Sequence, residues 1–233
     1  MKNDLSIYSD YAHEWWAPGS PRFRSLQNIT PFRLSLINQY ISPRPGQRVA
    51  DIGCGGGLIS LPLRRLGINM VGCDSSPASI AVLKAQDPSA DEFHCADARS
   101  LPFPTHYVDH SLMMDLLDHI PDYHLALAEA ARITKPGGLL FVGTINRTWR
   151  SRLLAILLAE TLRLIPPGTH DFKLFITPNE LIAAAHRCGF TLVARQGERV
   201  KLGETITRWA ISLERDESEA LAYSMVFQKC EST

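Results

Sequence analysis

Val49-Ala50-Asp51-Ile52-Gly53-Cys54-Gly55-Gly56-Gly57-Leu58-Ile59 joins an apolar run to a helix-like pattern through alternating glycines. This order predicts a first strand, a tight loop and a helix N-terminus. Glycine suits such a loop because its backbone reaches positive φ and no Cβ blocks an approaching ligand. Gly53, Gly55 and Gly57 are spaced Gly-x-Gly-x-Gly, which departs from the Gly-x-Gly-x-x-Gly fingerprint of dinucleotide sites. Asp51 stands just before the loop, at the expected mouth of a pocket. Asp74 closes the next apolar run, Asn69-Met70-Val71-Gly72-Cys73-Asp74. Its distance from the loop is close to the roughly 20 residues at which the end of a second strand holds a ribose by its hydroxyls.

The rest of the chain agrees with one α/β domain spanning 1–233. Its 233 residues suffice for a sizeable core, and its 24 basic residues balance 24 acidic ones. That balance carries no electrostatic footprint for nucleic acid, so none is expected as a partner. Cys54, Cys73, Cys95, Cys188 and Cys230 are odd in number and contain no Cys-x-x-Cys pair. They read as free thiols of a reducing compartment rather than disulfides or a zinc site. No apolar core of a signal peptide follows Met1, and no window approaches the roughly 18 apolar residues of a spanning helix. A cytoplasmic location is expected, and nothing in the sequence sets an oligomeric state.

Taken in order, residues 1–40 form an aromatic-rich N-terminal cap with a turn at Ala17 to Pro21. A helix is expected to begin at Thr30 as cap with Pro31 in its first position. Trp15 and Trp16 either pack on the domain or cover a pocket as a lid. Strands are expected at Arg48–Ile52, Met70–Asp74, Phe93–Ala96, Tyr107–Met114 and Leu139–Thr144. Helices between them give a parallel, doubly wound sheet with ligands at the strands' carboxyl ends. Residues 146–176 break the pattern as a helical insertion. Its apolar stretch Leu153 to Leu158 is flanked by Arg147, Arg150, Arg152 and Arg163. Segment 149–165 therefore reads either as an interfacial helix making peripheral membrane contact or as a cover packed on the core. After a helix from Pro178, three alternating stretches, 192–200, 206–213 and 221–227, are expected to complete the sheet as antiparallel strands.

Asp51-Ile52-Gly53-Cys54-Gly55-Gly56-Gly57 resembles the cofactor loop of class I methyltransferases, which use S-adenosylmethionine. More particular stretches are Trp15-Trp16, Pro31-Phe32-Arg33-Leu34, Asp115-Leu116-Leu117-Asp118-His119, Lys135-Pro136-Gly137-Gly138 and Pro166-Pro167-Gly168-Thr169-His170-Asp171. In order and spacing, across roughly 11–185, they resemble the O-methyltransferases of ubiquinone biosynthesis, which act on polyprenylated catechols. The resemblance implies a Rossmann-like, doubly wound, seven-stranded sheet and a lipid-like phenolic substrate. It also implies cofactor contacts from Arg33, Gly53, Asp74 and Met114, to which the loop position adds Asp51, Gly55 and Gly57. For Arg33 the alternative is a solvated helix charge. Asp97 would meet the adenine or merely cap a turn.

The family's divalent-metal motif is Glu-x-x-Glu-His, and this chain offers Asp115, Asp118 and His119, each acid one methylene shorter. On a helical turn the three would share a face and suit Mg²⁺, or with the imidazole Mn²⁺ or Zn²⁺. Otherwise Asp118 caps the following helix. A phenol with a pKa near 10 is scarcely ionised at pH 7, so a metal or a histidine base, His119 or His170, must help it. Between Gly197 and Lys229 only strand-like alternation is shared with the family. Three other functions are consistent with parts of the sequence: a secondary-metabolite methyltransferase on this scaffold, a non-catalytic cofactor-binding scaffold protein, and a nicotinamide oxidoreductase, which the glycine spacing disfavours.

Overall fold

The computed structural model describes residues 3–41 and 46–231; the outermost residues of the expected 1–233 span and residues 42–45 lie outside them. Eight strands form one sheet: β1 (Arg48–Ile52), β2 (Asn69–Asp74), β3 (Phe93–Cys95), β4 (Val108–Met114), β5 (Thr134–Ile145), β6 (Phe190–Val200), β7 (Leu213–Asp216) and β8 (Ala222–Lys229). Their order is β3-β2-β1-β4-β5-β8-β6-β7. The first five are parallel, with helices after β1, β2 and β4 and a loop between β3 and β4, and β8, β6 and β7 close the sheet antiparallel. Seven strands make the expected Rossmann-like frame, and β7 adds an eighth at the edge.

Both faces of the sheet are buried, which is why its parallel strands read as continuous apolar runs. One face packs under Ala126, Leu127, Ala130 and Ile133 of the helix Tyr123–Ile133 and Leu181, Ala184 and Ala185 of Pro178–Arg187. The other packs under Ile37, Ile41, Leu61, Leu63, Ile80 and Leu83. A smaller cluster, Ala12, Trp15, Phe23 and Leu58, seats the N-terminal segment on the glycine loop.

Three local expectations differ. The helix expected from Thr30 runs from Arg24 to Tyr40 and carries Pro31 inside it. Proline removes one backbone donor there, but Thr30 Oγ1 bonds back to the Leu26 carbonyl at 2.7 Å and the buried Ile29, Arg33, Leu36 and Ile37 hold the helix together. The stretch expected as a strand at 206–213 begins as helix, Leu202–Arg208. Leu202, Thr205, Ile206 and Trp209 recur at helical spacing and border one cavity, so the 3.6-residue period outweighs the apparent alternation. The insertion is helical through Trp149–Ser151, Arg152–Leu158 and Ala159–Thr161, the middle stretch wound as a π-helix.

Close strand contact at the carboxyl end of β1 demands a small residue opposite it. A Cβ on Gly72 would lie 2.5 Å from the Asp51 carbonyl oxygen and 2.9 Å from the Phe93 ring. Overpacking of this kind costs about 1–3 kcal/mol. Gly72→Ala is expected to lower the thermal midpoint by at least about 2 °C in calorimetry; an unchanged midpoint would contradict the packing described.

Candidate active site

The carboxyl ends of β1, β2 and β4 converge on the glycine loop. Gly53 and Cys54 donate their backbone N–H groups to the Cys73 carbonyl at 2.8 and 3.0 Å. Gly55 N–H donates to Asp74 Oδ2 at 2.9 Å, and Ser76 N–H to Oδ1 at 2.9 Å. Burial pushes the Asp74 carboxyl above the usual carboxylate range, and these two hydrogen bonds oppose the rise. Trp15 is buried against the loop: a Cβ on Gly55 would meet its indole at 2.6 Å. Its Nε1 donates to Ser79 Oγ at 2.9 Å, and Trp16 Nε1 donates to the Gly56 carbonyl at 2.8 Å. The paired tryptophans thus pack on the domain and cover the loop at once.

A cavity of about 170 Å³ opens beside this loop, bordered by Arg33, Asp51, Gly53, Gly55, Asp74 and Met114. Gly57 and Asp97 are not among its walls. Gly57 has φ +87° and backs onto Leu61 and Leu83, where it lets two helices approach. Asp97 is exposed and accepts hydrogen bonds from Arg99 at 2.7 and 2.9 Å, within its own turn. Asp51 is fully buried and accepts from Ser60 Oγ at 2.5 Å.

A second cavity, about 320 Å³, lies beyond it and is largely apolar. Leu154, Leu158 and Leu162 of the insertion wall one side, Leu202, Ile206 and Trp209 the other. Asp118, His119 and His170 stand at its inner end. One oxygen of Asp118 accepts from Thr144 Oγ1 at 3.0 Å. The other faces His119 Nε2 and His170 Nε2, each at 3.8 Å. Burial holds His119 below its ordinary pKa, with the Asp118 charge opposing, so its neutral form is favoured. Glu160 anchors the far side, accepting from the Gly168 N–H at 2.8 Å and lying 3.9 Å from His170 Nδ1.

The metal motif assembles differently from its sequence spacing. Among the described residues, the cluster able to hold an ion is Asp118, His119 and His170, donor atoms within 4.8 Å of one another. Asp115 is not in it. Only Leu117–His119 forms a helical turn, whereas Asp115 has φ +54° and points instead to Arg33, whose Nη2 and Nε donate to it at 2.6 and 3.1 Å. Arg33 is buried, and its Nη1 also donates to both oxygens of Glu198 at 2.5 and 2.6 Å. Sequence reasoning does not reach Glu198 or Tyr8. Tyr8 borders both cavities beside His119, and burial together with Asp118, Asp115 and Asp74 holds its hydroxyl protonated.

Fold and cavity define an S-adenosylmethionine-dependent methyltransferase of class I. A methyltransferase domain model matches residues 50–142. A solved S-adenosylmethionine-dependent methyltransferase from Methanosarcina mazei superposes with a TM-score of 0.62 at 25% identity, over 84% of this chain and 98% of that one. The [4+2]-cyclase SpnF is similar in fold alone, at 18% identity and a TM-score of 0.64 over 92% of this chain and 86% of its own. Curated relatives narrow the family. The ubiquinone biosynthesis O-methyltransferase of Brucella anthropi is 35% identical, covering 97% of this chain and 95% of the relative. That of Mesorhizobium japonicum is 36% identical, covering 91% and 90%. The chain belongs to the ubiquinone biosynthesis O-methyltransferase family.

Asp51 gives the site a stability signature. Burial, opposed by the Ser60 hydrogen bond and aided by the Asp74 charge, pushes its carboxyl up to about 6. Between the unfolded value near 4 and that value, the folded chain keeps a proton the unfolded chain has lost, so stability falls as pH rises. The expected fall is on the order of 2–3 kcal/mol across pH 4–6. Asp51→Asn should flatten that part of the urea-midpoint profile relative to the wild type; parallel profiles would contradict the burial argument.

Proposed function

We propose that this chain transfers the methyl group of S-adenosylmethionine to a hydroxyl of a polyprenylated phenol or catechol, a ubiquinone precursor. The observation that carries this reading is the shared wall of the two cavities. Tyr8, Leu26, Ile29, Arg33, Asp115 and His119 border both, so a methyl group in the first has its acceptor side in the second. The first cavity offers acidic and backbone groups for a nucleoside: Asp74 for ribose hydroxyls, and Arg33 for a carboxylate. The second offers an apolar channel for a prenyl chain and places a base at its inner end.

With no ion in the cluster, neutral His119 is ready to accept a phenolic proton, and Asp118 stabilises the imidazolium that results. His170 lies across Asp118 from His119, and Glu160 accepts from the His170 backbone N–H at 3.4 Å. Closure by Trp15 and the N-terminal segment keeps water from the reacting atoms, which must align within about 3–3.5 Å.

Asp118, His119 and His170 fit a divalent ion. Their facing atoms are too far apart to hydrogen-bond, and one carboxylate with two imidazoles suits Mn²⁺ or Zn²⁺ better than Mg²⁺. An ion held there would supply positive charge favouring the phenolate.

Exposed apolar side chains on the insertion and on the helix Leu202–Arg208 support a peripheral contact with a membrane surface. Trp149 is 70% exposed, and Leu157, Leu202 and Ile206 are also solvent-facing. Among the described residues no helix is long and apolar enough to cross a membrane. A cytoplasmic enzyme touching the bilayer peripherally through 149–165 follows from this reading, with a lipid-like small molecule and no nucleic acid as partner.

Mass spectrometry should detect methylation of a short-chain prenylated catechol. His119→Ala and Asp118→Ala should each lower kcat by about 100-fold or more while S-adenosylmethionine affinity is kept; undiminished turnover would remove both residues from the chemistry. EDTA should suppress product and Mn²⁺ restore it. Turnover indifferent to EDTA would overturn the ion and leave the proton to His119.

A further inference from the structure

Arg33 is buried and engaged on both edges of its guanidinium. One guanidinium lies between two carboxylates that differ sharply in access. Glu198 has no exposed surface; it takes Nη1 through both oxygens and is itself held by Ser224 Oγ, which donates to Oε1 at 2.5 Å. Asp115 is about a quarter exposed at its side chain, borders both cavities, and takes the opposite edge, Nη2 and Nε, as a bidentate pair. Its backbone, at φ +54°, sits in a conformation that short polar residues tolerate and most others avoid. Its N–H is tied to the Gly143 carbonyl at 2.8 Å, so a side-chain rotation suffices to release the carboxylate.

The methionine part of the methyl donor carries an α-carboxylate, chemically the same group as the Asp115 side chain. An arginine fork presents one planar edge to one carboxylate at a time. While Asp115 holds the Nε–Nη2 edge, an incoming carboxylate finds two negative charges and no free fork.

We propose that Glu198 is the positioning residue of the donor's carboxylate subsite: it fixes Arg33 so that the Nε–Nη2 edge faces the first cavity, where Asp115 keeps the place the donor's carboxylate takes. Glu198 holds the fork in register because it is buried and cannot be displaced. Asp115 leaves because it is reachable and competes for one edge only. Binding of the donor therefore frees a carboxylate at the wall shared with the acceptor cavity, three residues before Asp118. This deepens the methyltransferase reading and rests on it.

The test is titration calorimetry of the full chain with S-adenosylmethionine and with its decarboxylated analogue, which keeps the nucleoside and sulfonium but lacks the carboxylate. Asp115→Asn removes the competing charge and should tighten S-adenosylmethionine binding about tenfold while the analogue's affinity stays as in the wild type. Glu198→Ala should abolish the preference for the carboxylated compound, and Glu198→Gln, which keeps an acceptor for Nη1, should restore most of it. Should Glu198→Ala fail to fold by circular dichroism, the Asp115→Asn and Glu198→Gln pair carries the test. A carboxylate preference identical in the wild type and Asp115→Asn would overturn the proposal alone. A wild type that binds neither compound would overturn the methyltransferase reading with it.

Discussion

The hydrogen bond from the Gly55 amide to the Asp74 carboxylate ties the end of β1 to the end of β2, and the site is built outward from that tie. It holds the glycine loop in a left-handed turn that side chains with a Cβ would resist, and it leaves the acid facing the cavity. Parallel pairing aligns Asp51 with Gly72 and Leu112, so Asp74 and Met114 lie together two residues further along, at the carboxyl ends of their strands. Right-handed crossovers keep the covering helices away from that edge, so the crevice stays open to a ligand.

Charge is the second constraint. Burying Arg33, Asp115 and Glu198 together is expensive, and such groups are tolerated when each charge meets well-aligned partners. Breaking one partnership strands the others, which is why this trio reads as function more than as stability. Asp118, His119 and His170 form a separate polar group at the neck of an otherwise apolar channel. Arg33, Asp115 and His119 all border both cavities, whereas Asp118 and His170 line the second alone; the first group suits a carboxylate and the other a phenolic oxygen.

Much of the frame was legible because its signals are local. The glycine loop and the apolar runs of β1, β2 and β4 each announce themselves within a few residues. What was not legible depends on distant packing. Pro31 reads as a helix start, but burial of Ile29 and Arg33 carries the helix through it. Asp115 keeps motif spacing with Asp118, yet its positive φ turns it toward Arg33, a residue far away in sequence. Glu198 is hidden for a different reason. A register shift between Leu192 and Ala194 moves the later residues of β6 to the opposite face, so simple alternation misplaces an inward acid. His170 is the converse: its loop is conspicuous in the sequence, but only folding shows it facing Asp118.

The most direct measurement is a crystal structure of the protein with S-adenosylhomocysteine and a short-chain prenylated catechol. The account predicts ribose hydroxyls on Asp74, sulfur at the wall formed by Tyr8, Arg33, Asp115 and His119, and a catechol oxygen beside Asp118, His119 and His170. The prenyl chain should run between Leu158 and Ile206. A catechol oxygen remote from the sulfur and from Asp118, His119 and His170, or a prenyl chain outside the apolar channel, would contradict it.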